Sequence, residues 1–309
     1  MPDAAEILPP AYLLVIIEDL IRKKAIRWMV PDCGLSSALR FSVQFEDNSR
    51  VFVKAATDEE TGQWLRTEHV VLSSVRESLR EACMPYVIDW IDKPGIHPIL
   101  ITQDLSHAYW PASHSGVTWR EGDIDLLLGT IRALALQTAP PALRALENPR
   151  VSIWSQIAGN PEAFLQLKLC SATWMEKSID ALIDAEGNVE MRGNSLVHGD
   201  IRSDNVCVLG SRCLFVDWSH AARGSGRYDL AYLLPTLYLE GGPVPYLVMP
   251  DGGSEAAMGC AGHIRRLAID RGMPPWLKRV FQQIIAIELE WAARCLNLDE
   301  PDGIRWRDM

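Results

Sequence analysis

The feature that most constrains the fold of this chain is a predicted β-hairpin with polar residues at both of its ends. Two apolar runs, residues 206–209 and 213–216, are joined by Gly210-Ser-Arg, which is a typical turn sequence. Asn205 comes directly before the first run and Asp217 directly after the second. Because the two strands of a hairpin run antiparallel, these two side chains are expected to lie close together.

An amide oxygen and a carboxylate held together in this way form an incomplete oxygen site. Such a site suits magnesium, which keeps several waters and takes its remaining ligands from phosphate groups. Just upstream, Gly199 breaks a short apolar run, so Asp200 is expected on a tight turn beside His198. The Asp200 carboxylate is then free to orient or deprotonate a hydroxyl nucleophile. The stretch therefore predicts metal-assisted phosphoryl transfer, with Asn205 and Asp217 as the metal ligands.

A lysine near the end of an apolar strand is the second part of the predicted site. The helix after Lys54 is predicted to begin with a capping box of Thr57 and Glu60, and its spacing places Glu68 on the inward face. A buried carboxylate needs a cation, or its pKa rises until it becomes neutral. Lys54 is the best available partner. The alternatives are that Glu59 or Glu60 pairs with the lysine, or that the pair is solvated.

Periodicity predicts the remaining elements. Alternating apolar residues and turn sequences predict five strands before residue 104, at residues 26–30, 39–45, 51–56, 86–91 and 98–102. Helical spacing predicts an N-terminal helix before the first strand and further helices at residues 119–137, 161–169, 173–185, 230–239, 255–270 and 275–296.

Three short motifs resemble those of one known family. H-G-D-I-R-S-D-N at residues 198–205, V-D-W at 216–218 and Y-D-L-A at 228–231 are similar to the catalytic loop and metal segment of kinase-like small-molecule phosphotransferases, the aminoglycoside phosphotransferase and choline kinase-like family. The resemblance implies an α+β, bilobal protein-kinase-like fold. Its small antiparallel β-sheet lobe, with one inserted helix, would be the nucleotide-binding lobe at residues 1–104. A larger, mainly helical lobe at residues 105–309 would carry catalysis and substrate binding.

Carried over residue by residue, the resemblance also implies roles at the reacting centre. Asp200 would be the catalytic base, and Asn205 and Asp217 would bind Mg²⁺. Arg202 stands where protein kinases carry a basic residue that faces the transferred phosphoryl group.

Further roles concern the nucleotide, which is expected to be ATP, with GTP as the alternative. The resemblance implies that Lys54, held by Glu68, contacts the nucleotide phosphates. Backbone amides near Ser36 and Ser37 could cradle phosphate oxygens, although the single glycine of this loop matches a glycine-rich loop weakly and an ordinary hairpin turn is the alternative. The hinge, whose backbone would face the nucleotide base, is expected at Thr102, Gln103 and Asp104.

Charge and cysteine usage limit the classes of partner. The net charge of -10 argues against a nucleic acid or an anionic membrane as partner and is compatible with a cationic small substrate, with plain solubility as the alternative explanation. The seven cysteines are scattered singly, and no signal peptide is recognised, so a reducing cytoplasm is expected. The most apolar N-terminal run is too short to span a membrane. The sequence is silent on the oligomeric state.

The predicted function is transfer of the terminal phosphoryl group of a Mg-nucleotide to a hydroxyl of a small molecule. Protein substrates are disfavoured because neither D-F-G nor A-P-E follows the catalytic loop. One candidate acceptor is an aminoglycoside or related antibiotic, whose ammonium groups Glu240, Asp251 and Glu255 could receive. Simple solvation, which is usual for scattered acids on an acidic protein, is the other explanation for these three residues. The alternative is a metabolic kinase acting on choline, homoserine or a sugar. A catalytically inactive nucleotide-binding regulator is less favoured because the base and both metal ligands are present.

Overall fold

The computed structural model describes residues 5–6, 8–31 and 37–309. Internal contacts group the chain into two compact units, Met1–Ala145 with Asn194–Gly226, and Leu146–Gly193 with Arg227–Met309. The first unit therefore takes in chain on both sides of residue 104. The lobe boundary expected at that residue stays a prediction.

A six-stranded antiparallel sheet is the main element of the first unit, with the strand order β1-β2-β3-β4-β6-β5. The strands are β1 (Ala5–Glu6), β2 (Ala25–Val30), β3 (Leu39–Phe45), β4 (Arg50–Ala55), β5 (Val87–Lys93) and β6 (Ile96–Gln103). The five predicted strands are all present. The sixth, β1, is too short to carry a periodic pattern.

One helix, α1 (Ala11–Ile21), packs against one face of this sheet. Its Leu13 and Ile17, one turn apart, are fully buried against a cluster that includes Phe41 and Val43 of β3. Burying each such side chain stabilises the fold by about 1.5–3 kcal/mol. Because side chains alternate along a strand, the residues next to Phe41 and Val43 in β3 point to the opposite face of the sheet.

Two helices, rather than the one predicted, are inserted between β4 and β5. They are α2 (Glu59–Ser74) and α3 (Glu77–Cys83). The predicted capping box of Thr57 and Glu60 is wrong by one residue, because the N-cap is Asp58, whose carboxylate accepts a 2.8 Å hydrogen bond from the Thr61 amide. An ionised carboxylate is the stronger acceptor at a helix N-terminus, and the Thr57 hydroxyl instead donates to the Ser37 carbonyl.

The remainder of the first unit carries short strand pairs and one helix. The elements are β7 (Ala112–Ser113), β8 (Gly116–Val117), α4 (Asp123–Ala135), β9 (Ser195–Val197), β10 (Val206–Leu209), β11 (Arg212–Phe215) and β12 (Ala222–Gly224). β10 and β11 form the predicted hairpin, in which Val206 pairs with Phe215. β9 pairs with β12, and strands of three residues are too short to predict from periodicity.

The second unit is helical around one large apolar core. Its helices are α5 (Ile153–Gly159), α6 (Glu162–Leu165), α7 (Ala172–Gly187), α8 (Tyr228–Leu239), α9 (Pro245–Val248), α10 (Gly253–Ile269) and α11 (Pro275–Cys295). The predicted helix at 161–169 is shorter than expected, and α5 and α9 were not predicted. Across the described residues, none of the helices has both the length and the apolar character needed to cross a membrane.

Candidate active site

A cavity of about 280 Å³ lies within the first unit, beneath the face of the sheet opposite α1. Its lining includes most of the predicted site residues: Lys54, Glu68, Thr102, Gln103, Asp104, Asp200, Arg202, Asn205 and Asp217. Ser37 is exposed and is not among the lining residues, and Ser36 lies outside the described part of the chain. The fold thus collects residues from β4, α2, the end of β6 and both sides of the β10–β11 hairpin.

Lys54 is joined to two carboxylates inside the cavity. Its Nζ lies 2.7 Å from Glu68 Oε2 and 3.2 Å from Asp217 Oδ1. The Lys54 and Glu68 side chains are only 11% and 3% exposed, so the pair is largely screened from water. Burial by itself would lower the pKa of Lys54, but attraction by Asp217 and Glu68 outweighs it and leaves the pKa raised. Lys54 is therefore a fixed cation at neutral pH.

Asp217 sits in an uncommon backbone conformation at the end of the hairpin. Its φ of 64° lies in the left-handed region, which aspartate tolerates better than most residues. Burial would raise the pKa of its carboxyl, but Lys54 and a hydrogen bond from Ser219 reverse that effect and hold the pKa well below its usual range. The next residue, Trp218, donates its backbone N–H to Glu68. Glu68 therefore holds both the lysine and the turn that presents Asp217.

His198 ties the loop before the hairpin to the loop after it. Its ring is fully buried, and Nδ1 accepts the backbone N–H of Asp200 at 3.3 Å. Nε2 lies 3.0 Å from the carbonyl oxygen of Val216, which requires the proton on that nitrogen. Burial lowers the pKa of His198 to about 4, so the ring is neutral at physiological pH. A neutral ring in one tautomer bridges the two chain segments that carry Asp200 and Asp217.

Asp200 and Asn205 are joined by the asparagine side chain. Asn205 Nδ2 donates to the Asp200 backbone oxygen at 2.9 Å and to Asp200 Oδ2 at 3.1 Å. These two hydrogen bonds turn the amide nitrogen of Asn205 toward Asp200, so the amide oxygen points away from Asp200. Burial raises the pKa of Asp200 above its usual range, against the opposing effects of Arg202 and His220. Asp200 is thus positioned by its neighbours and is a stronger proton acceptor than a solvated aspartate.

The donor set fits a magnesium ion that also takes ligands from phosphate. The Asn205 amide oxygen and the Asp217 carboxylate are hard oxygen donors on the wall of one cavity. Within the described residues, no group of three or more His, Cys, Asp or Glu side chains could hold a metal ion. A metal at this position would therefore depend on oxygen atoms from a bound ligand and from water, which is the pattern typical of magnesium with nucleotides.

Arg202 is positioned by Asp204, a residue that sequence reasoning did not single out. Two guanidinium nitrogens of Arg202 bond the Asp204 carboxylate at 3.1 and 3.0 Å, and its Nε lies 3.7 Å from Asp200 Oδ1. A bidentate pair of this kind fixes the plane of the guanidinium. Arg202 therefore lies beside Asp200, but its bidentate ion pair is formed with Asp204 and not with Asp200.

The predicted hinge, residues 102–104, is held in place mainly by the side chain of Asp104. The buried Asp104 carboxylate accepts the Ser42 hydroxyl at 2.5 Å and the Ser106 backbone N–H at 3.0 Å. Gln103 donates its backbone N–H to the Tyr86 carbonyl at 3.0 Å. These bonds fix the chain where β6 ends at the cavity wall.

Several lining residues were missed by sequence reasoning: Arg40, Phe52, Trp64, Trp110 and His220. Phe52 could have been found from strand alternation, because it is two residues from Lys54 and so lies on the same side of the sheet. Arg40 lies on that side because it pairs with Lys54 across β3 and β4. Trp110 lies in a loop, residues 105–119, that is rich in His, Ser, Tyr and Trp. This composition indicates a loop that could line a cleft, but it does not indicate which residue does so.

Gly199 is required by both conformation and space. Its φ is +84°, and a Cβ at this position would lie 2.6 Å from the backbone oxygen of His220. We expect Gly199→Ala to lower the free energy of unfolding by roughly 2–4 kcal/mol, because a clash adds to the left-handed strain. The control is Gly210→Ala, where φ is +62° and no atom lies within 4 Å, so the strain acts alone. Equal losses in denaturant melts of the two variants would contradict the proposed clash.

Comparison with known proteins gives a family match by sequence. A model of the phosphotransferase enzyme family, APH, matches residues 103–264, which is just over half of the chain. The matched range includes the catalytic loop, the hairpin and Asp217. A search of curated proteins finds no match.

Solved structures of phosphotransferases share the fold. The GDP and kanamycin complex of APH(2")-IIia is 12% identical, with a TM-score of 0.55 over 93% of this chain and 98% of that one. Macrolide 2'-phosphotransferase MphH from Brachybacterium faecium is 15% identical, with a TM-score of 0.52 over 94% and 99%. A thermostable mutant of APH(4)-Ia with ADP and hygromycin B is 14% identical, with a TM-score of 0.50 over 93% and 96%. The predicted α+β, protein-kinase-like fold is thereby confirmed.

Proposed function

This chain belongs to the phosphotransferase enzyme family, and from that premise we propose that it transfers the terminal phosphoryl group of a nucleoside triphosphate to a hydroxyl of a small molecule. The observation that carries the proposal is the convergence of Lys54, Asp200 and Asp217 on one cavity. A lysine that binds phosphate, a carboxylate that accepts a proton and a carboxylate suited to a metal are the groups that phosphoryl transfer requires.

In the proposed mechanism, positioning matters more than base strength. The Asp200 carboxylate accepts a hydrogen bond from the acceptor hydroxyl and receives its proton as the new P–O bond forms. The bond between the terminal phosphorus and the bridging oxygen breaks, and the nucleoside diphosphate leaves with that oxygen. Lys54 and Arg202 offset the negative charge of the phosphate groups. Because the transition state is loose, the hydroxyl needs little activation beyond alignment with the terminal phosphate.

Magnesium is the proposed metal, and Asn205 and Asp217 would hold it. When bound, it supplies charge neutralisation and orientation to the phosphate oxygens. ATP and GTP are both candidate donors, since the structural neighbours include a complex with ADP and another with GDP.

Two classes of acceptor remain candidates. Neighbours in complex with hygromycin B and kanamycin support an aminoglycoside or related antibiotic. The acidic residues predicted to bind ammonium groups give weaker support for a cationic acceptor. Arg227 already forms ion pairs with two of them, Asp251, at 2.9 Å, and Glu255. These ion pairs reduce the negative charge that is available to the ammonium groups of an acceptor. The second candidate is therefore a metabolic acceptor such as choline, homoserine or a sugar. A reducing cytoplasm is the proposed compartment, supported by the six cysteines of the described residues, which are all free thiols.

A substrate panel tests the proposed function. Purified protein is incubated with Mg²⁺ and either ATP or GTP, together with aminoglycosides, macrolides, choline, homoserine and simple sugars. Products are scored by a mass gain of one phosphoryl group. Transfer to one member identifies the acceptor class. The proposal would be refuted if the folded protein bound neither nucleotide and released no nucleoside diphosphate with any acceptor.

A further inference from the structure

Arg40 faces Lys54 across two neighbouring strands. In the antiparallel pairing of β3 with β4, the Cα of Arg40 is the direct partner of the Cα of Lys54. Directly opposed residues share one face of a sheet and have side chains about 5 Å apart at Cβ. Both side chains line the active-site cavity. The sheet therefore brings a second cation next to the lysine that is proposed to bind phosphate.

Two cationic side chains in directly opposed positions of neighbouring strands are an unfavourable pairing. Like charges directly opposite each other destabilise a strand pair, by the same interaction through which opposite charges stabilise it. Lys54 is held in place beside Arg40 by Glu68 and Asp217. An anion bound between the two side chains would convert their repulsion into attraction. The pairing thus indicates a site for an anionic group beneath β3 and β4.

The balance of charge around the cavity supports the same conclusion. Among the described residues, three cationic side chains, Arg40, Lys54 and Arg202, line the cavity together with five carboxylates. A triphosphate carries several negative charges, so each cation on this wall favours its binding. Arg40 is the cation of this set that lies directly opposite Lys54 in the strand pairing.

The chain between β2 and β3 supplies a further reason for an arginine at this position. Residues 31–38 contain a single glycine, Gly34, in place of a glycine-rich sequence. Glycine-rich loops hold phosphate oxygens with a series of backbone N–H groups. A guanidinium carries five N–H donors in a planar fork that matches phosphate geometry, so one arginine can supply several of these hydrogen bonds.

We propose that Arg40 binds a phosphate group of the nucleotide donor beside Lys54. The assignment rests on the proposed function, because it requires a nucleotide in this cavity. It deepens that function by naming the residue that takes over part of the role of a glycine-rich loop. The contact is to phosphate rather than to the base or the ribose.

A series of ligands that differ only in phosphate number tests the assignment. The dissociation constants of a nucleoside triphosphate, diphosphate and monophosphate are measured by isothermal titration calorimetry with Mg²⁺ present, for ATP and GTP analogues. We expect Arg40→Gln to weaken triphosphate binding by roughly ten- to a hundredfold, the effect of losing hydrogen bonds from a charged donor. Monophosphate binding should change by less than about threefold, because the base and ribose contacts remain. Arg40→Lys should lie between wild type and Arg40→Gln, since it keeps the charge but lacks the fork.

The matched control is Arg76→Gln, which removes the same charge from an exposed position of the same unit. It should leave all three dissociation constants within about twofold of wild type. Thermal unfolding is measured for each variant to establish that it is folded. If Arg40→Gln does not fold, the test uses Arg40→Lys, and the quantity compared with wild type is the ratio of triphosphate to monophosphate affinity. An unchanged ratio in a folded variant, with a wild-type protein that binds nucleotide, would overturn the assignment of Arg40 alone. A wild-type protein that binds no nucleotide would overturn both this assignment and the proposed function.

Discussion

Replacing Asp200 with alanine is expected to lower the turnover of the proposed reaction by roughly 10²–10⁴-fold, the range found when a general base is removed. The Asp200 carboxylate lines the cavity and has a raised pKa because it is buried, so it is placed and charged to receive the hydroxyl proton. Nucleotide affinity should stay within a few-fold of wild type, because Lys54 and Asp217 are untouched. Steady-state kinetics and nucleotide titration measure the two quantities separately.

The matched variant is Asp200→Asn, which keeps the size of the side chain and an oxygen that can accept the bond from Asn205. If Asp200 acts through its charge and basicity, the asparagine variant should lose nearly as much turnover as the alanine variant. If Asp200 only positions Asn205, the asparagine variant should recover most of the activity. Wild-type turnover in either variant would remove Asp200 from the mechanism.

Replacing Lys54 with methionine is expected to cost about 3–5 kcal/mol of folding stability and to abolish detectable transfer. Methionine fills a similar volume but leaves the buried Glu68 carboxylate without its cation. Burial already raises the pKa of Glu68, and the attraction of Lys54 is what opposes that rise. The variant therefore holds an uncompensated acid in its interior. Urea unfolding monitored by tryptophan fluorescence gives the change in free energy.

The pH dependence of this variant has a definite sign. With Lys54 gone, the pKa of Glu68 in the folded state lies further above its unfolded value near 4.5. The folded protein then binds more protons than the unfolded chain, so stability falls as pH rises through the interval between these two pKa values. The loss in Lys54→Met should be smaller at pH 5 than at pH 8. A second substitution, Glu68→Leu in the Lys54→Met background, should restore stability, and a double variant no more stable than Lys54→Met would contradict this account.

Local pattern predicts those parts of the site whose geometry is set within a short length of chain. The hairpin follows from two apolar runs and a turn sequence, so the closeness of Asn205 and Asp217 could be expected. The ion pair of Lys54 with Glu68 follows from the cost of burying a carboxylate. The capping box was displaced by one residue, because Thr57 and Asp58 are both good N-caps and the choice between them depends on contacts such as that with Ser37.

Long-range contacts were beyond prediction from pattern. The opposition of Arg40 and Lys54 depends on the register between two strands, and a shift of one residue would turn one of these side chains to the other face. Bonds between side chains distant in sequence, such as Ser42 with Asp104, have no local signature. The short strands β9 and β12 are fixed by the pairing they form with each other rather than by their own composition.

Glu68 couples the positions of Lys54 and Asp217. A single carboxylate of α2 accepts the ammonium group of Lys54 and the backbone N–H of Trp218, so one side chain links a helix, a strand and the turn at Asp217. If α2 moved by more than a hydrogen-bond length, Lys54, the proposed phosphate ligand, and Asp217, the proposed metal ligand, would both lose this support in the same displacement. We therefore expect a ligand that displaced α2 to disturb both proposed ligands at once without contacting either of them.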